Sequence, residues 1–239
     1  MSQHEPFTIQ FDDTRSATAI HVPAQTPPPQ ALAALKLPPY EGALLVHGGA
    51  GNMEPELIEA VRHFVVNGLA PLAQDRNILI IDGGTQSGAA RILGDARQAI
   101  DGTFPLVGVV PHRYVLYPGG PPFAPDRIPL NPAHTHFIFV DGEKFGVESG
   151  LMVGLLRAAG KPGLALIING GDIVLNEVRA HSVMRNTLVA VKGSGRIADK
   201  LAEPDSAERR TLPSHVRLHV VDAKKPEDFV ALVNGLLEG

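Results

Sequence analysis

Short apolar runs alternate along this chain with segments whose apolar residues recur at helical spacing. Phe7 to Phe11 and Ala17 to Val22 read as two strands, a hairpin turning at Asp12-Asp13-Thr14. Pro23 to Pro39 is rich in Pro and Ala, a linker with room for one short helix at Ala31 to Leu35. A repeating strand–helix pattern follows. Ala43 to Val46 runs into His47-Gly48-Gly49-Ala50-Gly51-Asn52, and a helix from about Glu54 carries Leu57, Ile58, Val61, Phe64 and Val65 on one face. Asn77 to Asp82 is the next strand; Gly83, Gly84, Thr85, Gln86, Ser87 and Gly88 come at once, then a helix facing inward with Ala89, Leu93, Ala96 and Ile100. Leu106 to Val110 enters a long Pro- and Gly-rich loop, 111–132.

The pattern continues with His136 to Val140, Asp141-Gly142 and a helix from about Gly146 to Ala159. Leu164 to Ile168 ends in Asn169-Gly170-Gly171-Asp172 before another helix. Thr187 to Val191 ends in Lys192-Gly193-Ser194-Gly195-Arg196 and a helix to Glu203. Val216 to Val221 is a last strand, and the final helix opens at Pro226 and buries Phe229, Leu232, Val233 and Leu236.

Strands alternating with helices predict an α/β protein, a Rossmann-like three-layer αβα sandwich with a mostly parallel sheet and a short N-terminal β-hairpin. The expected organisation is a hairpin and Pro-rich segment over 1–40 packed on a domain over 41–239. Ligands of such sheets sit outside the carboxyl ends of the strands, at a switch in strand order. Four glycine-rich turns fall at carboxyl ends, hence on one edge. A single Gly-Gly turn is ordinarily only a turn. Four on one edge, each opening a helix, form an anion site from bare N–H groups and helix termini.

Composition narrows the partners. A net charge of −4 argues against nucleic acid, and no apolar run spans a bilayer. MSQHEPFTIQF lacks the basic and apolar regions of a signal peptide. The chain has no cysteine, so no disulfide and no thiolate metal site, which suits a cytoplasmic location. His47 and His112 fall just past strands at the ligand edge, whereas His134 and His136 fall at the opposite end of theirs. A metal shared among them is not expected; hydrogen bonding is the ordinary role. His63 and His181 read as surface or boundary residues. Asp82 suits capping backbone N–H groups, and Glu148 suits a ribose hydroxyl or its own helix N-terminus. Arg196 opens a helix after Gly-Ser-Gly, where a guanidinium forks onto phosphate; Arg91 faces solvent. GGTQSG lacks the Gly-Lys-Ser/Thr ending of an NTP-hydrolysing loop.

LLVHGGAGNM, GGTQSGAARILGDA, VGVVPH, HTHFIFVDG with FGVESG, and ALIINGGD followed by VAVKGSGRIADKLAE occur in this order. The series resembles the cytosolic N-terminal domain of melastatin-type TRP channels, in the free-standing prokaryotic (LSDAT) branch of the SLOG superfamily. That superfamily also holds the lonely-guy phosphoribohydrolases and the DNA-processing protein of transformation. The resemblance covers about Ala43 to Glu203. It implies binding of a nucleotide-derived, ADP-ribose-like ligand, with Gly83, Gly84, Thr85, Gly88, Gly193, Ser194, Gly195 and Arg196 around phosphates. With Gln86, Ser87 and the turns at Gly48, Gly49, Gly170 and Gly171, these make up the expected ligand set, joined by His112, Phe145 and Glu148. The ADP-ribose-binding channels carry an Arg four residues after the Glu of this motif and a Trp after the Pro; here Met152 and His112 stand there. A smaller or different nucleotide is therefore open. Against the lonely-guy P-G-G-x-G-T-x-x-E motif, Asp199 falls at the Glu. Glu148 and Asp199 are then the catalytic candidates if the chain is a phosphoribohydrolase. The expected reading is a cytosolic sensor or binding protein without cofactor or metal, its oligomeric state open, homo-oligomer included.

Overall fold

The computed structural model describes residues 5–48 and 53–238. Its centre is a nine-stranded sheet: β1 (Phe7–Gln10), β2 (Ser16–Pro23), β3 (Gly42–Gly48), β4 (Ile78–Asp82), β5 (Leu106–Pro111), β8 (His136–Asp141), β9 (Gly163–Ile168), β10 (Thr187–Lys192) and β11 (Leu218–Asp222). Across the sheet the order is β1-β2-β8-β5-β4-β3-β9-β10-β11. Only β1 runs antiparallel, against β2; the other pairs are parallel. The fold is α/β and Rossmann-like, as the strand–helix alternation predicts.

The N-terminal hairpin is built into the sheet. β2 lies parallel to β8, pairing His21 with Phe139 and Pro23 with Asp141. The long loop after β5 is ordered as well. It holds a short 3-10 turn (His112–Tyr114) and a two-stranded parallel ribbon, β6 (Val115–Leu116) with β7 (Ile128–Pro129).

Alternate residues of the buried strands feed opposite faces. Leu79 and Ile81 pack with α1 (Pro28–Ala34), α5 (Ser149–Ala158), α6 (Asp172–Val183) and α7 (Arg196–Ala202). Ile78 and Ile80 pack with α2 (Pro55–Phe64), α3 (Ala70–Asp75), α4 (Gly88–Ala99) and α9 (Pro226–Glu238); the four-residue α8 (Ala207–Arg210) follows α7. A third apolar cluster, with Phe137 and Phe139, lies under the hairpin. Between α2 and α3 the helix widens into a π turn over Val65–Leu69, where the Ala70 N–H reaches back to the Val65 carbonyl. Pro71 follows at once and has no N–H to give, so one extra residue is absorbed there.

Counting out from β3, the chain adds β4, β5 and β8 on one side, then crosses back to lay β9, β10 and β11 on the other. The order reverses between β3 and β9. That is where a crevice opens.

Candidate functional site

A cavity of about 450 Å³ opens at this reversal. Its walls come from the carboxyl ends of β3 (Val46, His47, Gly48), β4 (Asp82, Gly83) and β5 (Val109, Pro111). Thr85, Ser87, Ala89 and Ala90 close it at the start of α4. Phe145, Glu148 and Met152 enter from α5 and the turn before it, and Gly171, Asp172, Val174 and Glu177 from α6. Arg196, the first residue of α7, completes the wall.

The polar floor is a closed network. His47 Nδ1 is 2.7 Å from Glu177 Oε2. The Ser149 hydroxyl donates to Glu177 Oε1 at 2.6 Å. His47 Nε2 meets His181 Nε2 at 2.8 Å, and the Asn186 amide nitrogen meets His181 Nδ1 at 2.8 Å. One assignment satisfies every group: Asn186 donates to His181, His181 through Nε2–H to His47, and His47 through Nδ1–H to Glu177. Burial alone would raise the Glu177 carboxyl, but the imidazole of His47 and the Ser149 hydroxyl outweigh it and hold the group below its ordinary value. His181, also buried, is pushed down to about 2, chiefly by desolvation.

Glu148 sits just before α5 and accepts from the Gly146 N–H at 3.0 Å. Burial raises its carboxyl to about 6, with neighbouring Glu177 adding to the rise. Two carboxyls of one cavity are thus driven apart in acidity. Asp82 and Asp172 complete the acidic lining. Asp82 Oδ1 accepts from Gly84 N–H at 2.7 Å and lies 2.7 Å from His134 Nε2, while Oδ2 is buried with no partner among the described residues.

The family follows from comparison with known proteins. The model of the family described as "SLOG in TRPM, prokaryote" matches residues 42–231. The chain belongs to this family. The X-ray structure of TM1055, a structural-genomics target, superposes with a TM-score of 0.57 at 15% identity, covering 81% of this chain and 99% of that one. At that identity the likeness is one of fold.

The SLOG fold gathers part of the expected ligand set at one cavity. Gly48, Gly83, Thr85, Ser87, Phe145, Glu148, Gly171 and Arg196 all border it. Gly49 lies outside the described residues. Gln86, Gly88, Gly170, Gly193 and Gly195 stand in the same edge turns but do not border the cavity. Gly84 is a packing residue: its φ is +63°, and a Cβ there would come within 2.8 Å of the Gly108 Cα on β5. Ser194 is fully buried, its hydroxyl donating to the Val191 carbonyl and accepting from the Asn169 N–H. His112 turns away from the cavity to pack against His21 and Phe139. Met152, at the position of the channels' Arg, is a buried apolar wall.

Asp199 does not border the cavity. Its carboxylate accepts from the Gly193 N–H, six residues back, at 2.6 Å and braces the Gly-Ser-Gly turn. The carboxylate that joins Glu148 is Glu177, which sequence reasoning passed over. His181, expected at a surface or boundary, is wholly buried with Glu177 and Val178 on the inner face of α6. The i, i+4 spacing of Glu177 and His181 on that face was the available signal.

His134 also differs from expectation. β4 is short, so Asp82 lies level with Gly108, and Gly108 pairs with Phe137 near the start of β8. The presumed opposite ends of the sheet therefore meet there.

Proposed function

We propose that this chain binds a nucleotide-derived ligand in the cavity between β3 and β9. The observation that carries the reading is the division of one cavity into two chemistries. Arg196 and Gly171 lie on one wall: a Cβ on Gly171 would come 2.7 Å from the Arg196 Nη2, so the absent side chain leaves the guanidinium its seat. Among the described residues Arg196 has no acidic partner, which suits a phosphate. The N-termini of α4 and α6 open on the same cavity and favour an anion. Glu148, Glu177 and Asp82 border the cavity as acceptors for sugar hydroxyls. Val109, Met152 and Val174 offer an apolar surface for a base. Family membership supports a nucleotide-related role in general terms.

ADP-ribose and smaller nucleotides remain the first ligands to try, in a protein acting as a sensor or binding module. A thermal-shift series with ADP-ribose, cyclic ADP-ribose, NAD and AMP tests this. A ligand at 100 times its Kd adds about 2.7 kcal/mol of stability. No shift with any phosphate-bearing nucleotide, at millimolar concentration, would remove the reading.

A second reading is favoured by one observation. Glu148 and Glu177, one raised in pKa and the other lowered, form the kind of divided carboxyl pair that serves hydrolysis of an N-glycosidic bond. In that reading Glu177 takes the place expected of Asp199.

A further inference from the structure

Three adjacent strands bring His21, His112 and Asp141 together on the hairpin side of the sheet. β2, β8 and β5 lie side by side in that order. His21 pairs with Phe139, and Asp141, two residues on along β8, shares the face of Phe139. His112 follows Pro111 at the end of β5, and its ring packs edge-on against His21 with centroids 4.3 Å apart. One ligand atom from each of the three lies within 4.8 Å of the others.

The two imidazoles are held in place. His21 packs near-parallel to both Phe7, at 5.2 Å, and Phe139, at 4.9 Å. His112 packs on Phe139 at 5.5 Å, and its Nε2 is 3.4 Å from the Tyr117 hydroxyl. Among the described residues, nothing hydrogen-bonds to the His21 ring, and the Asp141 carboxylate has neither an ion pair nor a hydrogen bond. The cations alongside are engaged elsewhere: Arg113 pairs with Glu143, and Arg127 donates to the Arg113 and Pro122 carbonyls.

We infer that His21, His112 and Asp141 form a binding site for a first-row divalent transition-metal ion, zinc being the first to test. Two imidazole nitrogens and one carboxylate oxygen are the donors such ions take, and they disfavour magnesium and calcium, which prefer all-oxygen sets. Ligand atoms about 2.0–2.2 Å from a tetrahedral zinc ion lie about 3.3–3.6 Å apart. Gaps of up to 4.8 Å must therefore close by as much as about 1.4 Å on binding, and the exposed Asp141 is the side chain freest to move. His112 and Asp141 also border a polar cleft of about 470 Å³, so the remaining positions of the ion open to water. None of the three borders the nucleotide cavity. A bound ion would tie the N-terminal hairpin, through β2, to the carboxyl ends of β5 and β8.

The test uses the full chain stripped with chelator, then dialysed against Zn²⁺ or Co²⁺. We expect one equivalent per chain, visible d–d absorption for Co²⁺, and a higher melting temperature with Zn²⁺. His21→Ala and His112→Gln should lower metal affinity at least tenfold. Asp141→Asn, near-isosteric at an exposed position, should do the same and serves as the deciding variant should a histidine variant not fold. His215→Ala/His219→Ala, which alters other histidines, should leave binding unchanged. Stoichiometric metal that survives Asp141→Asn, or an absence of metal uptake by the stripped wild-type chain, would overturn the assignment.

Discussion

His47 Nδ1 lies 2.7 Å from Glu177 Oε2, with both side chains almost entirely closed off from solvent. The contact fixes α6 against the end of β3, at the reversal of strand order. A buried polar pair of this kind holds only while each group keeps its partners. Glu177→Ala removes the acceptor of both His47 and Ser149, and should cost about 1–3 kcal/mol for each buried donor left unpaired. Glu177→Gln keeps an oxygen for one of them and should cost clearly less. Urea midpoints for the two variants measure this. Equal losses would mean that volume, and not polar pairing, matters at this position.

Stability should fall as the medium is acidified from pH 7 towards pH 4. Burial holds His181 at about 2 and His136 at about 4, so between those values and 6.5 the unfolded chain binds protons that the folded chain refuses. Stability rises with pH wherever the unfolded state binds more protons. Glu148 acts in the opposite sense. Raised to about 6, it is protonated in the folded chain while still ionised in the unfolded one, down to about pH 4.5. Two histidines outweigh one carboxyl, and each proton contributes up to about 1.4 kcal/mol per pH unit. His136→Gln should therefore flatten the dependence of the urea midpoint on pH between 6 and 4. An unchanged slope would show that His136 titrates as an exposed imidazole.

Gly84 and Gly171 should separate packing from binding. Gly84→Val places a branched side chain at φ +63° and against the backbone of Gly108, so little folded protein is expected. At Gly171 the backbone is extended, and the atom an added Cβ would meet is the far end of the Arg196 side chain. Gly171→Ala should therefore fold with a nearly unchanged melting temperature while displacing the guanidinium. Arg196→Ala should weaken a phosphate-bearing nucleotide by about 1.5–3 kcal/mol. Calorimetric titration with AMP and with adenosine checks both variants. Equal losses for the two ligands would take Arg196 away from the phosphate.

The strand–helix alternation was legible because parallel strands buried on both faces read as short continuous apolar runs, as in ILII before Asp82 and LALII before Asn169. The glycine turns followed, since parallel strands put all their carboxyl ends on one edge. What sequence did not show was pairing at long range. Nothing local says that β2 lies parallel to β8, and so His21 gave no sign of meeting His112 and Asp141, where a metal is now proposed against an expectation of none. Glu177 was hidden for another reason. An acidic residue in mid-helix reads as a solvated position, and its partners His47 and Ser149 come from other elements. Asp199 is a catalytic candidate by motif spacing only in the enzyme reading; its short reach from one turn inside the helix suits instead the bracing of the Gly-Ser-Gly turn, where its carboxylate accepts from Gly193.

Whether the ligand is released intact or cut turns on Glu148 and Glu177. Cleaving an N-glycosidic bond builds positive charge on the sugar and needs one carboxylate near it, together with an activated water or a proton donor. Glu177, its pKa held below the ordinary value, is suited to the first task. Glu148 at about 6 keeps a proton in only about a tenth of molecules at pH 7, so a hydrolase relying on it as an acid would slow as pH rises past 6. Our expectation is a binder: AMP and ADP-ribose incubated overnight with the protein should be recovered whole. Glu148→Gln should weaken their binding, and Asp199→Asn should leave it within about twofold, because an amide oxygen can still accept from Gly193. Chromatography for free base and ribose phosphate decides the matter. Turnover that vanishes in Glu148→Gln and Glu177→Gln yet survives in Asp199→Asn would make the chain a hydrolase with Glu177 as its second carboxylate.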